Sequence, residues 1–201
     1  AENKIKNNIY ILDVYSTYKL DTIGRKISTN FNYLTFKDYQ DRVFNSNNLL
    51  PNSIVIPNSY YSANNISEQN ITNYSAKIDV DFPTKFIELT FGGKISFTKN
   101  STNLSVYNLT TGSQIFDPSQ SNKFVYNENT EALYISGSKK LGKKWESQLG
   151  LRLETTQTEG NSVTLNQTNS NNYSKLFPTF YLSYALNENN SLSFSYGKRI
   201  D

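Results

Sequence analysis

About eight stretches of this chain alternate apolar and polar side chains, and the links between them are short and long by turns. In the cleanest stretch Tyr74, Ala76, Ile78, Val80 and Phe82 fall on one parity, and Ser75, Lys77, Asp79 and Asp81 on the other. Side chains along a strand point to opposite faces with period 2, so this stretch predicts a strand with one apolar face and one wet face. After Pro83-Thr84-Lys85 the pattern resumes, with Leu89, Phe91, Gly93, Ile95 and Phe97 set against Glu88, Thr90, Gly92, Lys94, Ser96 and Thr98.

Three more pairs repeat the scheme. Tyr10, Leu12, Val14, Tyr18 and Leu20 lead through Asp21-Thr22-Ile23-Gly24 to Ile27, Phe31 and Tyr33. Residues 124–135 lead through Gly142-Lys143-Lys144 to Trp145, Leu149, Leu151 and Leu153. Leu176, Phe180, Leu182 and Tyr184 lead through Asn187-Glu188-Asn189-Asn190 to Leu192, Phe194 and Tyr196. Every short link carries Gly, Pro, Asn or Asp, the residues that supply the backbone angles of tight turns.

Residues 40–69, 100–122 and 158–172 are rich in Asn, Ser and Thr, show no sustained period and read as long loops. Within the second, Leu104 and Val106 alternate with Asn103 and Ser105 and hint at some strand. Compact soluble domains seldom carry several structureless links longer than ~12–15 residues. Tight turns at one rim, long loops at the other and strands greasy on one side are the wiring of a transmembrane barrel. The expected fold class is therefore all-β: an antiparallel up-and-down meander of about eight strands, a segment of a larger transmembrane β-barrel. Residues 1–201 are expected to form one partial domain of it. The alternative is a soluble β-sandwich that binds glycans or acts as an adhesin, which does not require link lengths to alternate.

Composition agrees once strands replace helices as the spanning element. The mean hydropathy is −0.59, and no apolar run approaches the ~18–20 residues of a spanning helix. A barrel strand needs only ~9–11 residues, every second one facing lipid, so its average stays polar. Aromatic residues are plentiful for so polar a chain, with Tyr 15 and Phe 12. Trp145, Tyr10, Tyr18, Tyr33, Tyr74, Tyr134 and Tyr184 are expected in the two aromatic girdles at the membrane interfaces.

The chain has no His and no Cys, which removes Ser-His-Asp triads, Cys-His nucleophiles and the usual zinc sites. Carboxylate pairs remain possible, for instance Asp79 with Asp81 or Glu128 with Glu131. The first pair sits about 7 Å apart by strand rise, and both aspartates read as charges facing a watery lumen. Arg152 shares the inward parity with Gln148 and Glu154 and is expected to form a lumenal ion pair. Gly92-Gly93 lies inside a strand, where it marks close packing or a bend. No catalytic, cofactor-binding or metal-binding residue is assigned, and the chain is not expected to be an enzyme. Nucleic acid is not an expected partner, because the net charge of +3 is scattered. The basic cluster of Lys139, Lys140, Lys143 and Lys144 flanks a turn, where it is solvated or meets anionic headgroups. The Asn- and Tyr-rich loops have the chemistry to bind sugar, but no residue is singled out as a ligand contact. Absence of Cys suits export, and a start at Ala1-Glu2-Asn3 is that of a processed or excised piece.

Specific residues add a family resemblance. Phe124-Val-Tyr-Asn-Glu128, Ala132-Leu-Tyr134, Trp145 and Gly150-Leu-Arg-Leu-Glu154-Thr155-Thr156 resemble the C-terminal half of outer-membrane β-barrel proteins related to TonB-dependent receptors, as found in Bacteroidetes. Tyr173-Ser-Lys-Leu-Phe-Pro178, Ser195-Tyr-Gly-Lys-Arg-Ile200, Tyr18-Lys-Leu-Asp-Thr-Ile-Gly-Arg25 and Tyr74-Ser-Ala-Lys-Ile-Asp79 are similar to the same family. The resemblance implies a slice of a barrel of about 22 strands, in the cell outer membrane, involved in nutrient uptake. It further implies outer-membrane lipid, the remaining strands, a plug domain and the TonB complex as partners. On its own the fragment is expected to self-associate.

Overall fold

The computed structural model describes residues 3–198, whose strands form one antiparallel sheet joined by turns and loops. Its elements are β1 (Lys4–Lys19), β2 (Lys26–Ser46), β3 (Tyr61–Pro83), β4 (Glu88–Asn108), β5 (Ile115–Phe116), β6 (Asn122–Leu141), β7 (Trp145–Ser162), β8 (Gln167–Ala185) and β9 (Ser191–Gly197). The long strands lie side by side in chain order, and the two-residue β5 pairs with the end of β4. No second sheet covers either face among the described residues, which overturns the sandwich alternative. Leu133 is 68% exposed and Leu149 63%, values that make sense only for side chains whose apolar neighbour is outside the protein.

The register carries the apolar parity from strand to strand. Val14 pairs with Phe31, Phe31 with Ala76, and Ala76 with Ile95. Leu133 pairs with Leu153, which pairs with Leu176, and Phe180 pairs with Tyr196. A slip of one residue would turn any of these sets to the wet face, so burial in lipid specifies the pairing.

The apolar spans cover residues 10–18, 74–82, 89–97, 133–141, 145–153 and 176–184, nine positions each. They do not stay level with the hydrogen-bonded rows. The row through Val14, the middle of the β1 span, runs on through Phe31, Ala76, Ile95, Glu131 and Thr155 to Ser174. The middle of the β8 span is Phe180, six residues farther along after six strand-to-strand steps. A drift of one residue per strand, about 3.3 Å of rise against about 4.8 Å of spacing, tilts the strands by about 35° to the band normal. That is the tilt of membrane barrels, and at that tilt nine residues cover about 22 Å, close to the ~25 Å lipid-facing belt.

Three of the expected long loops are corrected. Residues 40–46, 61–69, 100–108 and 158–172 are largely strand, and the links on that rim shrink to residues 47–60, 109–121 and 163–166. The period is lost there because the strands have left the lipid and both faces are wet, while the ladder continues unbroken. In β3 the extension adds 13 residues, which rise about 35 Å beyond the apolar band. The hint of strand at Leu104 and Val106 is correct, since β4 runs through both. At the other rim the turns are tight. Asp21 Oδ1 accepts from the backbone N–H of Ile23 (2.9 Å) and Arg25 (3.0 Å), and Gly24 takes a φ of 104° that closes the turn.

Candidate functional site

Strand parity divides the wall into a lipid face and an inner face. Tyr10, Tyr18, Tyr33, Tyr74, Trp145 and Tyr184 all share the lipid parity, as the girdle expectation required. Tyr33 and Tyr74 are cross-strand partners with ring centroids 5.1 Å apart, and Trp145 and Tyr184 lie 4.5 Å apart at the opposite edge of the band. Tyr134 is the exception. It sits between outward Leu133 and Ile135, so it faces inward and belongs to no girdle.

There it organises the inner wall. Tyr134 pairs with Gly92 on β4, and Gly92 pairs with Asp79 on β3. Because Gly92 has no side chain, the phenol lies across β4 and its OH donates to Asp79 Oδ1 at 2.6 Å. Lys77 Nζ stands 2.8 Å from the other carboxylate oxygen of Asp79 and 5.8 Å above the Tyr134 ring. From the far side the Arg152 guanidinium sits 5.6 Å over the same ring and forms the expected pair with Glu154 at 2.6 Å. Four strands are thus tied by one run of charge and aromatic surface across the inner face at membrane level. Asp81 belongs to a separate group, accepting from Thr90 Oγ1 at 2.7 Å and facing Lys26 Nζ at 3.3 Å.

The two carboxylate pairs are divided, one by its partners and the other by strand parity. Asp79 and Asp81 share a face but each is held by its own partners. Glu128 points inward and Glu131 outward, because three residues of strand separate opposite faces. The lysine cluster is split likewise: Lys139 has the outward parity and Lys140 the inward one. Lys144 is in the turn, its Nζ 5.7 Å over the Tyr184 ring and its carbonyl accepting from Ala185 N–H at 2.8 Å.

At the upper edge of the band and just above it, apolar side chains occupy the inner parity as well. Ile9, Ile11, Leu34, Phe36 and Ile71 all face inward and are contiguous through the pairs Ile9 with Phe36, Phe36 with Ile71, and Ile11 with Leu34. Ile9 and Ile11 are 59% and 67% exposed, with no part of the described chain covering them. Sequence reading missed this patch. Its signal was the unbroken run Ile9-Tyr10-Ile11-Leu12, in which both parities are apolar at once. Farther up the inner wall Tyr126 donates to Glu128 Oε2 at 2.7 Å, and that bond to a carboxylate, aided by burial, pushes its phenol up to about 12.

A family model described as "Outer membrane protein beta-barrel family" matches residues 18–201. The chain belongs to that family. Its place is the cell outer membrane, and its fold matches part of several solved transporters and receptors. One is the ferric citrate transporter FecA in its unliganded form, with TM-score 0.63, 12% identity, and coverage of 94% of this chain and 27% of that one. A second is the ferric-catecholate import receptor Fiu from E. coli K12, with TM-score 0.63, 13% identity and coverage of 96% and 33%. A third is the siderophore receptor PiuA from Acinetobacter baumannii, with TM-score 0.60, 16% identity and coverage of 96% and 32%. The outer-membrane barrel chain described here therefore spans about a third of the length of these structures. No curated protein matches its sequence.

Proposed function

We propose that residues 1–201 are one partial domain, a wall segment of a TonB-dependent receptor that takes up a scarce nutrient, a ferric siderophore complex being the chemistry its structural neighbours suggest. The carrying observation is the apolar band that drifts one residue per strand across a sheet open at both β1 and β9. Such a band lies level in the membrane only if the strands tilt as barrel staves, and open edges call for further strands of the parent molecule. The remaining wall, a plug and the contact with the TonB complex belong to those other parts. The segment itself supplies surface rather than chemistry: an apolar inner patch at Ile9, Ile11, Leu34, Phe36 and Ile71, and below it the charged tier of Lys77, Asp79, Tyr134, Arg152 and Glu154. The long-link rim faces outside, as in other bacterial barrels, so an incoming ligand meets the apolar patch first. It supports a binding and passage role and no enzymatic one.

Uptake tests it. Cells lacking the protein should lose accumulation of a labelled ferric siderophore that wild-type cells concentrate, and dissipating the inner-membrane potential should abolish that accumulation. Uptake that continues unchanged in the deletion strain across ferric siderophore classes would count against the iron reading. Failure of the intact protein to show the heat-dependent gel shift of a closed barrel would count against the barrel itself.

A further inference from the structure

A groove of about 850 Å³ lies on the outside of the wall. Tyr74 and Phe97, cross-strand partners at the upper edge of the apolar band, form its lower lip. Above them the same outward parity places Lys99, Asn127, Asn129, Gln157 and Glu159 on three neighbouring strands. Lys99, Asn127 and Glu159 share one hydrogen-bonded row, so the cation and the carboxylate stand on opposite sides of an amide, about 10 Å apart. Lys99 forms no ion pair among the described residues, and none of the outward-facing polar side chains here hydrogen-bonds to another side chain. The inner face behaves differently at the same height, where Asn73 bonds Thr98 and Gln69 bonds Asn100.

We infer that this groove binds the phosphorylated sugar headgroup of a glycolipid in the outer leaflet. The groove is continuous with the lipid-facing band below it, so its occupant is the part of a lipid that lies just above the acyl chains. Lys99 suits a phosphate, as a mobile point charge with three donors. Amides and a carboxylate without protein partners suit the hydroxyls of a sugar ring, which both donate and accept. The exposed Tyr74 and Phe97 rings, 47% and 43% accessible, offer an apolar face at the depth where sugar gives way to hydrocarbon. A phospholipid would use the cation but leave Asn127, Asn129, Gln157 and Glu159 unanswered.

The test uses the intact protein extracted from outer membranes in mild detergent, with retained lipid read by native mass spectrometry and then titrated with lipid A or phosphatidylglycerol. Wild-type protein should retain a phosphorylated glycolipid and rebind lipid A in preference to phosphatidylglycerol. Lys99→Ala should weaken lipid A binding by about tenfold, the loss of one charge-assisted hydrogen bond, and Lys99→Arg should restore it. Asn127→Ala with Gln157→Ala should remove the preference for lipid A while leaving phosphatidylglycerol binding unchanged. Lys37→Ala removes an outward cation outside the groove and should have no effect. Absence of any bound glycolipid, equal affinity for both lipids, or equal losses from Lys37→Ala and Lys99→Ala would each overturn the assignment. Circular dichroism and the heat-dependent gel shift confirm that each variant is folded before its binding is compared.

Discussion

Gly92→Ala isolates what holds the inner wall together. The glycine has no positive φ, so any backbone cost of the substitution is small and the effect must come from space. A Cβ there would overlap the Ile78 carbonyl oxygen and stand 2.9 Å from Tyr134 Oη, with nothing able to move except the ring or the β3 backbone. Displacing the ring breaks the bond to Asp79, a hydrogen bond to a charged acceptor worth about 1.5–3 kcal/mol, taken at the low end because the carboxylate remains partly wet. Overpacking against the carbonyl adds about 1–3 kcal/mol. Replacing glycine in a strand returns about 0.5–1 kcal/mol. The net expectation is a loss of about 2–3 kcal/mol, read as the shift in urea unfolding of the intact protein in vesicles. Tyr134→Phe, which keeps the ring and removes only the hydroxyl, should cost about 1–2 kcal/mol. In the Gly92→Ala background it should cost almost nothing, because the bond is already gone. Equal costs for Tyr134→Phe in both backgrounds, or a Gly92→Ala protein as stable as wild type, would refute the bridging of β4 by this tyrosine.

Other outcomes follow from the same wall. Trp145, beside the short turn after Leu141 and packed at a tilt against Tyr184, should be quenched more by brominated lipids labelled near the headgroup than by those labelled near the chain end. The Tyr126 phenol, with its proton affinity raised by Glu128, keeps its bond from neutral pH upward. That contribution is complete below the ordinary tyrosine range and is lost as pH rises through about 12, so alkaline absorbance titration should show a tyrosine step near 12 that Tyr126→Phe removes. The excised chain in water, with free edges at β1 and β9 and its lipid face bare, should be oligomeric by light scattering, and a clean monomer would contradict the exposure of that face.

Periodicity in the sequence reports a difference in solvent between two faces rather than hydrogen bonding. Tyr74 to Phe82 was legible because one side of β3 meets hydrocarbon and the other water. Residues 158–172 were not legible, since β7 and β8 stay paired there while water surrounds both faces. Tyr134 was misplaced for a related reason: aromatic content suggested a girdle, whereas its flanking Leu133 and Ile135 already fixed its parity inward. Gly92-Gly93 was readable as close packing, but the identity of the packing partner depends on a register that spans three strands. The inner patch needed that register too, because Ile9, Phe36 and Ile71 are far apart in the chain and meet only across two ladders.

The drift of the apolar band also sets a diameter. At a tilt of about 35° each stave takes up about 5.9 Å of circumference, so the eight long strands span an arc of about 47 Å. Rolled shut by themselves they would make a tube about 15 Å across between backbones, too narrow for Tyr134, Arg152 and Phe36 to share with any cargo. Continued to about 22 staves the same pitch encloses about 40 Å, and the bulky inner side chains become furniture on the wall of a room rather than its filling.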